Sequence, residues 1–247
     1  MSRQNVYDDE RFFEGYARLR KNSDSANNLE EKPVLFSLLG SIQGKSVLDM
    51  GCGYGENCRA FSEEGALRVL GIDISKKMLA VARKENGTER IDYRRLTIEE
   101  VSSLNETFDV VVSSLAVHYV EDFGKLARDV YALLNDGGLF VFSQEHPLTT
   151  APLDGAQWVR DEEGQVDHYR LTDYARSGKR SVSWIVDGVI KYHRSFSELI
   201  NSLTAAGFRI EEMKEPVPSP EMMRRFPYMA KDIHKPNFLF LKARKPD

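Results

Sequence analysis

The sequence predicts a doubly wound α/β protein with a mostly parallel sheet of seven strands. Three observations carry this: short apolar runs alternate with helical stretches from Lys45 onward, the first run ends in a cluster of glycines, and an aspartate closes the second. Such alternation buries a parallel sheet under helices on both faces.

The elements follow in order. Residues 1–40 read as helical, with Phe12, Phe13, Tyr16, Ala17 and Leu19 at helical spacing and Leu35, Phe36, Leu38 and Leu39 after Pro33. Ser46–Met50 is the first strand, and a helix covers Glu56–Glu64. Arg68–Asp73 is the second strand, and Ser75 then caps a helix carrying Met78, Leu79 and Ala82. Ile91–Arg95 and Phe108–Val112 are the third and fourth strands. The next helix has an apolar stripe at Phe123, Leu126, Ala127, Val130, Leu133 and Leu134. It is expected to stop at Asn135–Gly138, where glycine adopts the left-handed conformation of a helix terminus. Gly138–Ser143 is the fifth strand. Residues 146–194 break the rhythm with Pro147, Pro152, both tryptophans and three of the five histidines, and read as an insertion over the carboxyl edge of the sheet. Ser195 and Glu198 form a capping box that starts a helix running to Gly207. Arg209–Met213 and Phe238–Lys242 are the last strands.

Composition narrows the function classes. A net charge of −4 with only short basic pairs disfavours a nucleic-acid partner, whose phosphates require a basic face. No apolar run approaches the ~20 residues of a membrane span. The polar opening residues do not resemble a signal peptide, so a cytoplasmic location is expected. Cys52 and Cys58, alone and six apart, suggest neither a disulfide framework nor a zinc site, and no metal is expected.

The chemistry concentrates in Val47-Leu48-Asp49-Met50-Gly51-Cys52-Gly53-Tyr54-Gly55-Glu56. A strand ending in glycines lets a ligand approach the backbone closely. A dinucleotide loop reads G-x-G-x-x-G, but its third glycine is replaced here by Glu56. Asp49 and Glu56 would repel a pyrophosphate and would suit a cationic ligand. The segment resembles motif I of class I S-adenosylmethionine-dependent methyltransferases, most closely the type-11 group of small-molecule enzymes. Phe108–Tyr119 resembles that family's fourth-strand motif, and Leu134–Phe140 its turn before strand five.

The resemblance implies a Rossmann-like fold in a single methyltransferase domain over residues 1–247. Its parts would be a helical lid (1–40), a cofactor-binding core (41–145), an inserted cap (146–194) and the C-terminal part of the core (195–247). S-adenosyl-L-methionine is the implied cofactor and a small molecule the implied acceptor, with no membrane or nucleic-acid partner, in a monomer or homodimer. Asp73 would take both ribose hydroxyls, as a carboxylate can. The methionine end would pass over Gly51 and Gly53, and Asp49, Cys52, Ile74, Met78 and Ser114 would also bind the cofactor. Thr97, where the family often has aspartate, and Ile98 would meet the adenine.

Other positions keep two readings. Cys52 is a nucleophile or a small buried filler. Glu145 and His146, directly after strand five, take a proton from the acceptor or merely hold the following loop. His118 and Tyr119 face the sulfonium or pack. Trp158, His168, Trp184 and His193 line an acceptor pocket or form the cap's own core. Tyr7, Tyr16, Arg18 and Arg20 close over the methionine moiety or belong to an ordinary amphipathic helix. The competing functions are an NAD-dependent oxidoreductase and a sensor or scaffold that binds the cofactor without catalysis.

Overall fold

A computed structural model of the protein describes residues 5–20, 22–155 and 157–247. Near the N-terminus, α1 (Glu10–Arg20) is followed by a helical turn at Asn27–Glu31 that runs into α2 (Lys32–Leu39). Pro33 falls in the first turn of α2, where its missing N–H leaves no hydrogen bond unmade. The core then reads β1 (Ser46–Met50), α3 (Glu56–Glu63), β2 (Arg68–Asp73), α4 (Lys76–Asn86), β3 (Ile91–Arg95), β4 (Phe108–Ser113), α5 (Phe123–Leu133) and β5 (Leu134–Glu145). After a short α6 (Pro147–Thr150), the insertion folds as two antiparallel hairpins. One pairs β6 (Trp158–Arg160) with β7 (Val166–Tyr169), the other β8 (Gly178–Trp184) with β9 (Val186–His193). The chain ends with α7 (Phe196–Ala205), β10 (Arg209–Lys214), α8 (Pro220–Arg225) and β11 (Phe238–Arg244).

The seven-stranded sheet has the order β10-β11-β5-β4-β1-β2-β3. β1 to β5 are mutually parallel, and β11 enters antiparallel between β5 and β10. Alternate residues of each strand feed opposite cores. Leu48, Met50, Val111, Phe140 and Phe142 pack toward α5 and α7. Val47, Val110, Val112 and Val141 pack toward α2, α3 and α4. Since both faces are covered, β1 carries no exposed position. No helix among the described residues is long and apolar enough to cross a membrane.

One boundary differs from expectation. α5 stops at Leu133 without a glycine terminus, because Leu134 is already extended and pairs with Phe108. The register then jumps so that Leu139 pairs with Val110, and the intervening residues loop out through Gly137 at φ +71°. The glycines therefore serve an irregularity within β5 and not the helix end.

Candidate active site

The strand order reverses between β1 and β4, which opens a crevice at their carboxyl ends. Asp49 lies on β1 almost wholly buried. Its Oδ2 accepts the Cys58 thiol at 3.2 Å, while Oδ1 has no protein partner. Burial, reinforced by the charges of Asp73 and Glu31, pushes its pKa up to about 7. Asp73 closes β2. Its two oxygens accept the N–H groups of Gly53 (2.9 Å) and Ser75 (2.8 Å), and burial still raises its pKa to about 6.

The amides of the glycine loop are taken up within the protein. The N–H groups of Gly51 and Cys52 both bond to the Ile72 carbonyl, and that of Gly53 is taken by Asp73. What the loop offers is space. Gly51 has φ +75°, and a Cβ there would fall 2.6 Å from that of Ala116; at Gly53 a Cβ would project into an open gap. Cys52 is a buried filler: burial drives its thiol up to about 11, away from nucleophilic character at neutral pH.

Glu56 does not face the crevice as a free charge. It holds Arg20 and Lys32, which outweigh burial and keep its carboxyl below the usual range. Arg20 also donates to Asn27. Tyr16 stands beside it, its ring 5.7 Å from Tyr7, 5.8 Å from Tyr54 and 6.2 Å from Trp184. Tyr7 reaches the Tyr119 hydroxyl at 3.3 Å, so α1 and its leading turn connect the end of β4 to the tip of the β8–β9 hairpin.

Ile74, Ile98 and Ser114 are half-buried along the same crevice. The Thr97 hydroxyl, largely buried, donates to Glu100 at 2.9 Å and caps the following helical turn by accepting the Glu100 N–H. Met78 does not join them: it is 1% exposed and packed into the core by α4.

At the end of β5, Glu145 Oε1 pairs with Lys191 of β9 at 2.5 Å, and a quarter of the Glu145 side chain stays open. The Lys191 ammonium also lies 5.3 Å from the centre of the Trp184 ring. His118 accepts the Glu145 N–H at 3.4 Å, and burial takes its pKa down to about 4, so its ring is neutral near pH 7. Burial would raise the Glu145 carboxyl, but His118, Lys191 and Lys235 together hold it below the usual range. Because His118 is neutral, the lasting positive charge in contact is that of Lys191.

His146 is not in this group. Its Nδ1 accepts the Leu148 N–H (3.1 Å) to cap α6, and its Nε2 meets Glu215 at 2.7 Å, so both nitrogens of the buried ring are engaged. His168 is exposed beside Asp167, and His193 is buried between Thr150 and the Tyr174 carbonyl. Trp158 packs on Tyr169 and under Lys231 and Lys235. Of Trp158, His168, Trp184 and His193, Trp184 is the one in ring contact with α1 among the described residues.

Sequence reasoning missed Lys191 and Glu31. Lys191 could not be placed without the hairpin register that sets it opposite Arg180. Glu31 left one trace, an acidic pair just before the apolar run that begins at Val34. Among the described residues no three or more His, Cys, Asp or Glu side chains are grouped to hold a metal ion.

A doubly wound sheet whose switch point carries glycines flanked by buried acids defines a Rossmann-like protein suited to a positively charged ligand with sugar hydroxyls, and not to a pyrophosphate. The orphaned Asp49 Oδ1 and the gap at Gly53 fit such a ligand.

Residues 48–142 match the Methyltransferase domain family. An uncharacterized protein of Haemophilus influenzae is 41% identical over 249 residues, an alignment that spans 97% of this chain and 96% of the relative. An S-adenosylmethionine-dependent methyltransferase of Mesorhizobium loti, known from its crystal structure, is 38% identical with a TM-score of 0.80, over 89% of this chain and 98% of that one. A Listeria monocytogenes protein of the same class is 35% identical with a TM-score of 0.81, over 88% and 97%. This chain belongs to the S-adenosylmethionine-dependent methyltransferases. It is an enzyme with S-adenosyl-L-methionine as cofactor, which sets aside both the oxidoreductase and the non-catalytic readings.

Proposed function

We propose that the chain methylates a small-molecule acceptor held beneath the β8–β9 hairpin. The ribose would lie on Asp73, the adenine between Ile74 and Ile98 near Thr97, and the methionine end over Gly51 and Gly53 toward Ser114. Tyr16 and Arg20 would close over it as part of a lid formed by residues 1–40, with residues 146–194 as the cap. The observation that carries the acceptor side is the Glu145–Lys191 pair, set within reach of Tyr119 and Trp184 and still partly open. The bound cofactor supplies a methyl group already activated by its sulfonium.

The residues of the chain need to hold the acceptor atom in line with that methyl. Orientation of this kind can supply roughly 7–11 kcal/mol of a barrier. Where the acceptor is protonated, Glu145 is the group to take its proton: it stays ionised, and Lys191 fixes its direction. His118, neutral and buried, holds the backbone of Glu145 and so acts as a positioning residue. Incubation with labelled cofactor and a metabolite panel tests the reading. Glu145→Gln is expected to lower kcat about 10²–10⁴-fold, the range of general-base catalysis, with S-adenosylhomocysteine affinity kept. A Glu145→Gln enzyme of undiminished kcat on a protonated acceptor would remove Glu145 from the mechanism.

A further inference from the structure

Glu31 is wholly buried at the end of the Asn27–Glu31 turn. A carboxylate withdrawn from water costs several kcal/mol unless donors surround it. Three do. The hydroxyls of Ser114 (2.8 Å) and Ser143, from the ends of β4 and β5, converge on Oε1, and the Asn27 amide reaches Oε2 at 2.8 Å. None of the three is a cation. The nearby cations Arg20 and Lys32 are turned to Glu56, and no ion pair to Glu31 occurs among the described residues. The carboxylate is hydrogen-bonded, but it has no positive charge in contact.

Its surroundings indicate what that charge should be. Asn27 accepts Arg20 with its side-chain carbonyl and donates to Glu31 with its amide, so a cation and an anion flank one residue at one end of the crevice. A zwitterionic amino-acid group presents the complementary pair. Ser114 is half-buried on the crevice wall, with its hydrogen committed to Glu31 and its lone pairs left as acceptors. The next residue, Leu115, holds φ +50°, a conformation that costs a non-glycine residue about 1 kcal/mol or more. From Asp73 on β2 to Ser114 on β4 is two strand spacings, roughly 10 Å, a distance open to an adenosine with a four-carbon amino-acid arm. The sulfur sits one carbon from the ribose, so the group that reaches β4 is the amino-acid end.

We propose that Glu31, acting through the Ser114 hydroxyl, is the positioning residue for the α-ammonium of the cofactor, opposite Arg20 at its carboxylate. The inference rests on the donor placement proposed above. In it, the ammonium donates to Ser114 Oγ, whose hydrogen Glu31 holds; burial raises the Glu31 carboxyl, and an ammonium arriving beyond the hydroxyl favours its ionised form. The same carboxylate ties the turn before α2 to the ends of β4 and β5, so the lid and the cofactor site share one anchor.

Two ligands separate this role from a purely structural one. S-adenosylhomocysteine keeps the amino-acid arm, and 5′-methylthioadenosine replaces it with a methyl group while keeping the adenosine and the thioether. Calorimetry on the full chain, with thermal melting as a folding control, is expected to show Glu31→Gln weakening S-adenosylhomocysteine by about tenfold or more, the scale of a hydrogen bond to a charged group. Affinity for 5′-methylthioadenosine should change by less than about twofold, within the range of a neutral substitution. If Glu31→Gln fails to fold, Ser114→Ala serves the same comparison with the same selective loss expected. Equal weakening of both ligands, or unchanged S-adenosylhomocysteine affinity, overturns the proposal. Asp73→Asn should weaken both ligands, because both keep the ribose. If it spares both, the donor placement fails, whatever Glu31 does.

Discussion

Asp73 serves two masters in this structure, the loop it braces and the ligand it is proposed to hold. Its oxygens already accept the Gly53 and Ser75 N–H groups, and a carboxylate has room for two further bonds. Truncation to alanine would leave both amides unpaired, whereas asparagine keeps an acceptor for one of them. Asp73→Asn is expected to weaken S-adenosylhomocysteine by about 2–3 kcal/mol, as for charge-assisted hydrogen bonds, and to lower the melting temperature because one of the two amides loses its acceptor. Calorimetry checks it, and unchanged affinity would contradict the ribose placement. The buried acids also give a pH signature. Asp73 near 6 and Asp49 near 7 hold protons more tightly in the fold than in the open chain. Ionising them therefore removes stability from the unliganded protein as pH rises through that window. A bound cation offsets the loss, so the thermal shift produced by S-adenosylmethionine should be larger at about pH 8 than at about pH 5. S-adenosylhomocysteine, without the sulfonium charge, should show a smaller increase. A shift independent of pH would mean that neither acid meets the cofactor's charge.

At the scale of elements, the parallel core was legible because each of its signals is local. β1 and β4 are short, mainly apolar runs, Ser75 and Ser195 are serine caps, the latter with Glu198 three residues on, and the stripe of α5 repeats at helical spacing. The acceptor side was legible only in composition. The hairpin register that sets Lys191 across from Arg180, and so turns the lysine toward Glu145, depends on pairing over the length of the insertion. His146 misled for the same reason: its sequence position after β5 suits a catalytic base, while its partner Glu215 lies 69 residues away. Helix α1 offers a direct test of how these elements cooperate. Phe12 is fully buried and touches Tyr7, Tyr16 and Trp184, thereby joining α1 to the hairpin tip. Phe12→Ala should destabilise that docking by about 3–5 kcal/mol. Hydrogen exchange is then expected to rise across residues 6–20 and in β8–β9, with α5 protection unchanged and S-adenosylhomocysteine dissociating faster. Uniform loss of protection would instead make α1 part of the global core.

Across the whole molecule, charge divides along the carboxyl edge of the sheet. Glu31, Asp49 and Asp73 collect around β1, β2 and β4, while Lys191, with Lys235 beyond it, faces the carboxylate of Glu145. The acidic half suits a cofactor that carries a sulfonium and an ammonium, and the basic half keeps Glu145 ionised beside the place where a methyl would arrive. The central claim is that these halves form one crevice roofed by α1 and the β8–β9 hairpin. A crystal structure of the S-adenosylhomocysteine complex tests it most directly. The account predicts the ribose on Asp73, the amino-acid end at Ser114 and Arg20, and the sulfur facing the space between Tyr119, Glu145 and Trp184. A ligand bound with its ribose away from Asp73, or with its sulfur facing away from the Glu145–Lys191 pair, would contradict it.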